Sequence, residues 1–125
     1  MMSEGAARTI LVVDDDADSA EPLRLLLAAV NPSYTILVAS NGASAVELAR
    51  ASHADMVIMD IQMPVMDGVE AAGRIRKDAA DRPVLLIAVS GDVLRLPDVL
   101  ATGHFDHAMP KPLDIPALLA LVDLA

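Results

Sequence analysis

The chain has no cysteine and no tryptophan, and Tyr34 and Phe105 are its only aromatic residues. Without cysteine there is neither a disulfide framework nor thiolate chemistry, which suits a reducing compartment. Without aromatic platforms, the bases of a single-stranded nucleic acid would find nothing to stack on. Basic residues are scarce too: nine stand against eighteen acidic ones, for a formal charge of −9, so the surface repels a phosphate backbone. The opening MMSEGAART holds no long apolar run, which argues against a signal peptide or membrane anchor. These absences point to a soluble cytoplasmic protein with no direct nucleic-acid or membrane partner.

What remains is aliphatic. With 125 residues, 54% of them hydrophobic, the chain suits one domain whose core is built from Leu, Val, Ile, Ala and Met. Most of the methionines read as core filler. Residues 1–7 read as a flexible tail and 8–125 as the domain. Short β-branched runs at Thr9–Val13, Thr35–Ala39, Met56–Met59, Val84–Val89 and, more weakly, His107–Met109 predict five strands. Several are apolar on consecutive residues, the pattern of strands covered on both faces of a parallel sheet.

Helical spacing fills the intervals. Leu23, Leu26, Leu27 and Val30 predict a first helix with Pro22 in its first turn. Val46 and Ala49 mark a second after SNG, and Val69, Ala72 and Ile75 a third after MDG, where Arg74, Arg76 and Lys77 read as a solvated face. Pro97 predicts a shortened fourth helix, and Ile115, Leu118, Leu119 and Val122 a fifth, capped by Asp114. Strands and helices alternating in this way make a doubly wound α/β domain, in which ligands bind beyond the carboxyl ends of the strands.

Polar residues gather at those ends. The first strand runs into Asp14 and Asp15, the third into Asp60, the fourth into Ser90, and the fifth approaches Lys111. A lone Asp after a strand is commonly a turn or cap. If the first and third strands are neighbours, however, three carboxylates share one crevice, where each pair costs roughly 4 kcal/mol at about 4 Å and an effective dielectric of about 20. One lysine compensates too little. A hard divalent cation such as Mg²⁺ is the natural remedy, since it takes one or two carboxylates and leaves positions for phosphate oxygens. An Asp beside such a metal can be a nucleophile toward phosphorus, with a lysine and a hydroxyl stabilising the equatorial oxygens.

The segments ILVVDDD, VIMDIQMPVMDG, LIAVSG and PKP, in this order, resemble the receiver domain of two-component response regulators, a likeness that runs from about Thr9 to the end. The resemblance implies a CheY-like, flavodoxin-like three-layer sandwich with strand order 2-1-3-4-5. It implies that Asp60 is the phosphoacceptor, that Asp14, Asp15, Asp60 and the backbone carbonyl of Gln62 hold Mg²⁺ (or Mn²⁺), and that Ser90 is the switch hydroxyl. Lys111 would pair with the phosphate, Pro112 would be the cis-proline, and Met63 and Met66 would belong to the active-site loop. Gln62 and Asp92 would tune the lifetime of the phosphoryl group. The donor would be a phosphohistidine on a histidine kinase or histidine phosphotransfer protein, and the output a changed surface for a downstream protein. The domain would catalyse its own phosphorylation and slow dephosphorylation without being a dedicated enzyme.

Some positions depart from the family pattern. Ala108 stands where many receivers carry the aromatic of the switch, and Pro110, lacking an N–H, fits only an edge strand or a strand end. With Pro97, these changes predict that the common symmetric dimer through the fourth helix, fifth strand and fifth helix is not used. FDHAMPKP resembles receivers of hybrid kinases, yet a stand-alone receiver is the favoured expectation.

Other readings compete. A non-phosphorylated receiver-like interaction module is one. A haloacid-dehalogenase-like phosphatase is another; its nucleophile would be Asp14 in a D-x-D-x-T pattern, but Asp18 occupies the Thr position. Asp14, Asp16 and Asp18 also imitate a calcium loop, which fails at Ser19 and Leu25; Asp16 and Asp18 read instead as solvated residues opening the first helix. His53, His104 and His107 read as surface residues.

Overall fold

The computed structural model describes residues 8–64 and 66–123. The expected tail at 1–7 lies outside these residues. Five strands form one parallel sheet: β1 (Thr9–Val13), β2 (Thr35–Ala39), β3 (Met56–Asp60), β4 (Leu85–Ser90) and β5 (His107–Pro110), in the order β2-β1-β3-β4-β5. This is the predicted fold class and strand order. The helices are α1 (Ala17–Val30), α2 (Gly42–Ser52), α3 (Gly68–Ala79), α4 (Leu96–Ala101) and α5 (Ile115–Val122), and a 3₁₀ turn at Val93–Arg95 precedes α4. No described helix is long and apolar enough to cross a membrane.

Each central strand buries both faces, so successive side chains serve different cores. Leu11, Val13, Val57, Met59, Leu86 and Ala88 face one layer, together with Ala45 and Ala49 of α2, Ala71, Ala72 and Ile75 of α3, and Val99 of α4. Ile10, Val12, Met56, Ile58, Ile87 and Val89 face the other, with Ala20 and Leu27 of α1 and Leu118 and Val122 of α5. Phe105 joins the first core, which is otherwise aliphatic. Strand β5 lies at the sheet edge, and Pro110 is its last residue, opposite Ser90, so the missing N–H costs the sheet no interior bond.

Three local expectations are corrected. Helix α1 starts at Ala17, because Asp16 caps it by accepting the Asp18 N–H at 2.9 Å. Pro22 therefore lies inside the helix and forgoes a bond to the Asp18 carbonyl. The buried stripe of α1 is Ala20 and Leu27 with Leu23 half-buried, while Val30 is 46% exposed. Strands β3, β4 and β5 each end one residue later than expected, at Asp60, Ser90 and Pro110, and β4 begins at Leu85 instead of Val84.

The third correction concerns Arg76, which is not on a solvated face. Its guanidinium donates to the His104 carbonyl at 2.8 Å, the Val84 carbonyl at 2.7 Å and Asp106 Oδ2 at 2.6 Å. Asp106 Oδ2 also accepts the Leu86 N–H at 2.8 Å. One side chain of α3 thus ties together the start of β4 and the loop before β5. Arg74, by contrast, is exposed and pairs within the helix with Glu70. Arg76→Ala should lower the unfolding free energy in urea by about 2 kcal/mol, because two carbonyls and a carboxylate lose their donor. Arg74→Ala should change it by less than about 0.5 kcal/mol; equal effects would refute the clamp.

Candidate functional site

Parallel strands start and stop together, so the residues that end β1, β3 and β4 share one edge. Asp14 follows β1, its N–H continuing the ladder to the Ala39 carbonyl at 3.1 Å. Asp60 is the last residue of β3 and Ser90 the last of β4. Asp14 and Asp60 are each only 8% exposed and Ser90 is fully buried.

Each of these side chains is clasped by the backbone two residues on. Asp14 Oδ1 accepts the Asp16 N–H at 2.9 Å, Asp60 Oδ1 the Gln62 N–H at 3.1 Å, and Ser90 Oγ the Asp92 N–H at 3.0 Å. Short polar side chains make this local turn readily. One carboxylate oxygen is thereby spent on orientation, and the other is turned to the site. Lys111 Nζ meets those second oxygens, Asp60 Oδ2 at 3.2 Å and Asp14 Oδ2 at 3.4 Å. Lys111 is placed by its own N–H, which donates to the Ser90 carbonyl at 3.0 Å, and the Lys111–Pro112 peptide bond is cis.

Gly68 of the MDG segment has a steric reason to be glycine. A Cβ there would lie 2.6 Å from the Asp60 carbonyl oxygen, so any other residue would push α3 away from the site. The Asp67 side chain then caps α3 by accepting the Glu70 N–H at 3.0 Å.

The charges do not balance. Asp14, Asp15 and Asp60 each offer an oxygen within 4.8 Å of the others, against the single ammonium of Lys111. Burial pushes the Asp60 carboxyl above the usual carboxylate range, and the Asp14 charge adds to it; the Lys111 ammonium and the Gln62 N–H oppose the shift without cancelling it. Burial pulls the Lys111 ammonium down, but the Asp60 and Asp14 carboxylates outweigh it and hold its pKa above the ordinary lysine value. The donor set is all oxygen, without imidazole or thiolate, which fits a hard divalent cation.

The other expected site residues lie around this cluster. Gln62 and Asp92 are exposed in the loops after Asp60 and Ser90, each joined to the site through its N–H. Ala108 is half-buried on β5, opposite Ala88 and away from the cluster. The three histidines are not ligands of it: His53 is exposed, while His104 and His107 are half-buried around β5. The backbone clasps of Asp14, Asp60 and Ser90 and the Asp67 cap are not evident from the sequence, although the residues that make them are visible there.

The profile of the response regulator receiver domain matches residues 10–123, and the chain belongs to that family. It is 34% identical over 111 residues to the response regulator MprA of Mycobacterium ulcerans (strain Agy99), covering 89% of this chain and 47% of that protein. It is 33% identical over 120 residues to the regulatory protein AtoC of Escherichia coli (strain K12), covering 96% of this chain and 25% of that one. The chain thus spans half or less of the length of these relatives. Among solved structures it resembles the receiver domain of the sensor histidine kinase PA1611 from Pseudomonas aeruginosa PAO1, described with a magnesium ion coordinated in the active site cleft. The TM-score is 0.80, with 26% identity and coverage of 93% and 94% of the two chains.

The raised Asp60 pKa has a sign that can be tested. The folded protein holds this proton more tightly than the unfolded chain, so the group's favourable contribution is present at low pH and is lost as pH rises above the ordinary carboxylate range. In metal-free buffer, Asp60→Asn should therefore be more stable than the wild type at pH 7, by about 1 kcal/mol or roughly 4 °C in Tm. The difference should shrink toward pH 4 and on adding Mg²⁺. A variant less stable at pH 7 would contradict this electrostatic account.

Proposed function

We propose that this chain is a phosphoryl-accepting switch: Asp60 takes a phosphoryl group from a phosphohistidine on a histidine kinase or histidine phosphotransfer protein. The observation that carries the reading is the pairing of Lys111 Nζ with Asp60 Oδ2 at 3.2 Å inside a cluster of three carboxylates. Membership of the receiver family supports it independently.

The chemistry follows from the residues. A carboxylate oxygen of Asp60 attacks phosphorus, the phosphorus–nitrogen bond breaks, and its electron pair leaves with the imidazole, which departs as neutral histidine carrying its proton. Asp60 becomes an acyl phosphate. The Lys111 ammonium lies where it can neutralise a phosphoryl oxygen, and the Ser90 hydroxyl, whose oxygen already accepts the Asp92 N–H, still has its proton to donate to another. A cleft of about 230 Å³ lined by Asp14, Asp60, Lys111, Leu23 and Leu113 keeps the acceptor reachable. Asp14, Asp15, Asp60 and the Gln62 carbonyl would hold Mg²⁺, or Mn²⁺, which when bound offsets the negative charge of the cluster and of the phosphoryl oxygens. Hydrolysis of the acyl phosphate by water would restore the starting state. The reading carries with it a cytoplasmic location, where the family's kinases present their phosphohistidines, and a downstream protein that reads the altered surface.

Incubation with phosphoramidate and Mg²⁺, followed by peptide mass spectrometry, should place one phosphoryl group on Asp60. Asp60→Asn should abolish labelling, and Lys111→Ala should slow it by at least about tenfold. Label on Asp14 would instead favour the phosphatase reading, and no label would favour the unphosphorylated module.

On this reading Gln62 and Asp92, exposed in the loops that follow β3 and β4, would lie beside the path of the hydrolytic water. Replacing both with Ala should alter the dephosphorylation rate by about threefold to tenfold while leaving the Asp60 site of labelling unchanged. An identical decay rate would remove them from the lifetime role.

A further inference from the structure

The segment that follows Ser90 is anchored unevenly. At its far end Val99 is buried, and the Thr102 hydroxyl donates to the Val99 carbonyl at 2.7 Å and accepts the His104 N–H at 3.2 Å. The His104 ring lies against Gly73 of α3, where an added Cβ would meet it at 3.1 Å, and Arg76 clamps the His104 carbonyl and Asp106. At the near end, no residue of the 3₁₀ turn is buried, and Asp92 caps it without a side-chain bond. Two polar side-chain contacts hold this end among the described residues: the Asp92 N–H on Ser90 Oγ at 3.0 Å, and Arg95 Nη2 on Asp67 Oδ2 at 3.3 Å.

We propose that the Arg95–Asp67 ion pair is a latch that holds the near end of segment 91–103 against α3 and so restrains Ser90 from turning toward a phosphorylated Asp60. The two are positioning residues, and the proposal rests on the reading of Asp60 as phosphoacceptor. Ser90 Oγ serves two claims. It accepts the Asp92 N–H in the present arrangement, and turning into the site draws the start of the 3₁₀ turn with it or breaks that bond. A turn fixed to α3 resists being drawn. Once the latch opens, the weakly held end can swing about the end anchored by Arg76.

Asp67 suits the role. Its Oδ1 is committed to the Glu70 N–H at 3.0 Å, so Oδ2 is held ready for Arg95 at no further cost in side-chain order. The strength is also appropriate. With side chains 35% and 41% exposed, the pair lies in a range that biases an equilibrium by about twofold to fivefold, enough to matter and weak enough to yield.

The test uses Arg95→Gln, Asp67→Asn and their combination; Asn keeps an oxygen for the α3 cap. Two quantities are measured: the initial rate of Asp60 phosphorylation by phosphoramidate with Mg²⁺, and amide hydrogen exchange across residues 91–95 without any donor. Each single variant should raise both by about twofold to fivefold, with exchange in β1 and β3 unchanged. The double variant should match a single one, because both remove the same bond. Arg95→Lys should restore most of the restraint. Additive effects, or rates and exchange equal to wild type, would overturn the latch. If wild type takes no phosphoryl group at Asp60, the functional reading fails on its own, and exchange alone then decides: faster exchange in Arg95→Gln keeps the latch, equal exchange rejects it.

Discussion

Three carboxylates crowd the carboxyl edge of the sheet against one lysine, which pairs with two of them, and that deficit of positive charge is the constraint on which the rest depends. The aliphatic core forces it. Strands β1 and β3 are adjacent and buried on both faces, so the first polar residues after them emerge side by side. The clasping N–H groups of Asp16 and Gln62 then prevent Asp14 and Asp60 from turning out to solvent. A chain that needed only stability would gain by replacing one of these acids with a neutral residue. Keeping all three accords with the proposed function, in which the site would receive a cation and an incoming phosphoryl group.

The same geometry bears on the rival phosphatase reading. In a D-x-D pattern after the first strand, Asp14 and Asp16 would work together. Here Asp16 is exposed and occupied at the start of α1, where its Oδ1 accepts the Asp18 N–H at 2.9 Å. The oxygens gathered with those of Asp14 are instead those of Asp15 and Asp60. Lysine contact also reaches Asp60, the residue nearest the middle of the sheet edge. The gathered carboxylates are thus contributed by the ends of two strands, β1 and β3, not by one loop.

The strands and their terminal acids are legible in the sequence for one reason: a parallel strand covered on both sides must be apolar at consecutive positions, and the run ends where the cover ends. The Asp114 cap of α5 is legible on similar grounds, its Oδ1 accepting the Ala117 N–H at 3.1 Å. Arg76 was misread because a basic residue on an amphipathic helix is ordinarily solvated, and nothing local reveals that the Val84 and His104 carbonyls, distant in sequence or across a loop, lie within its reach. The stripe of α1 is on the expected face, through Leu23 and Leu27, but lies further toward the N-terminus, with Ala20 buried and Val30 exposed, because Asp16 starts the helix well before Pro22. Arg95 and Asp67 likewise meet only once α3 and α4 lie on the same face of the sheet.

Ala108 raises the question of what moves. Opposite Ala88 and half-buried against the core that includes α2 and α3, it has no side chain long enough to swing between two positions. The backbone nearby offers little freedom either. Pro110 lies opposite Ser90 without an N–H to give, and the N–H of Lys111 takes up the Ser90 carbonyl at 3.0 Å. The two groups that would flank a phosphoryl on Asp60, the Ser90 hydroxyl and the Lys111 ammonium, are therefore anchored to each other through the main chain. Any rearrangement that follows phosphorylation must begin beyond that bond, in the Ser90 side chain and the chain after Gly91. Ser90 itself is buried, but residues 91–94 are exposed and the 3₁₀ turn buries none of its residues, so on the proposed reading the departure at Ala108 shifts the burden of signalling onto the stretch between β4 and α4.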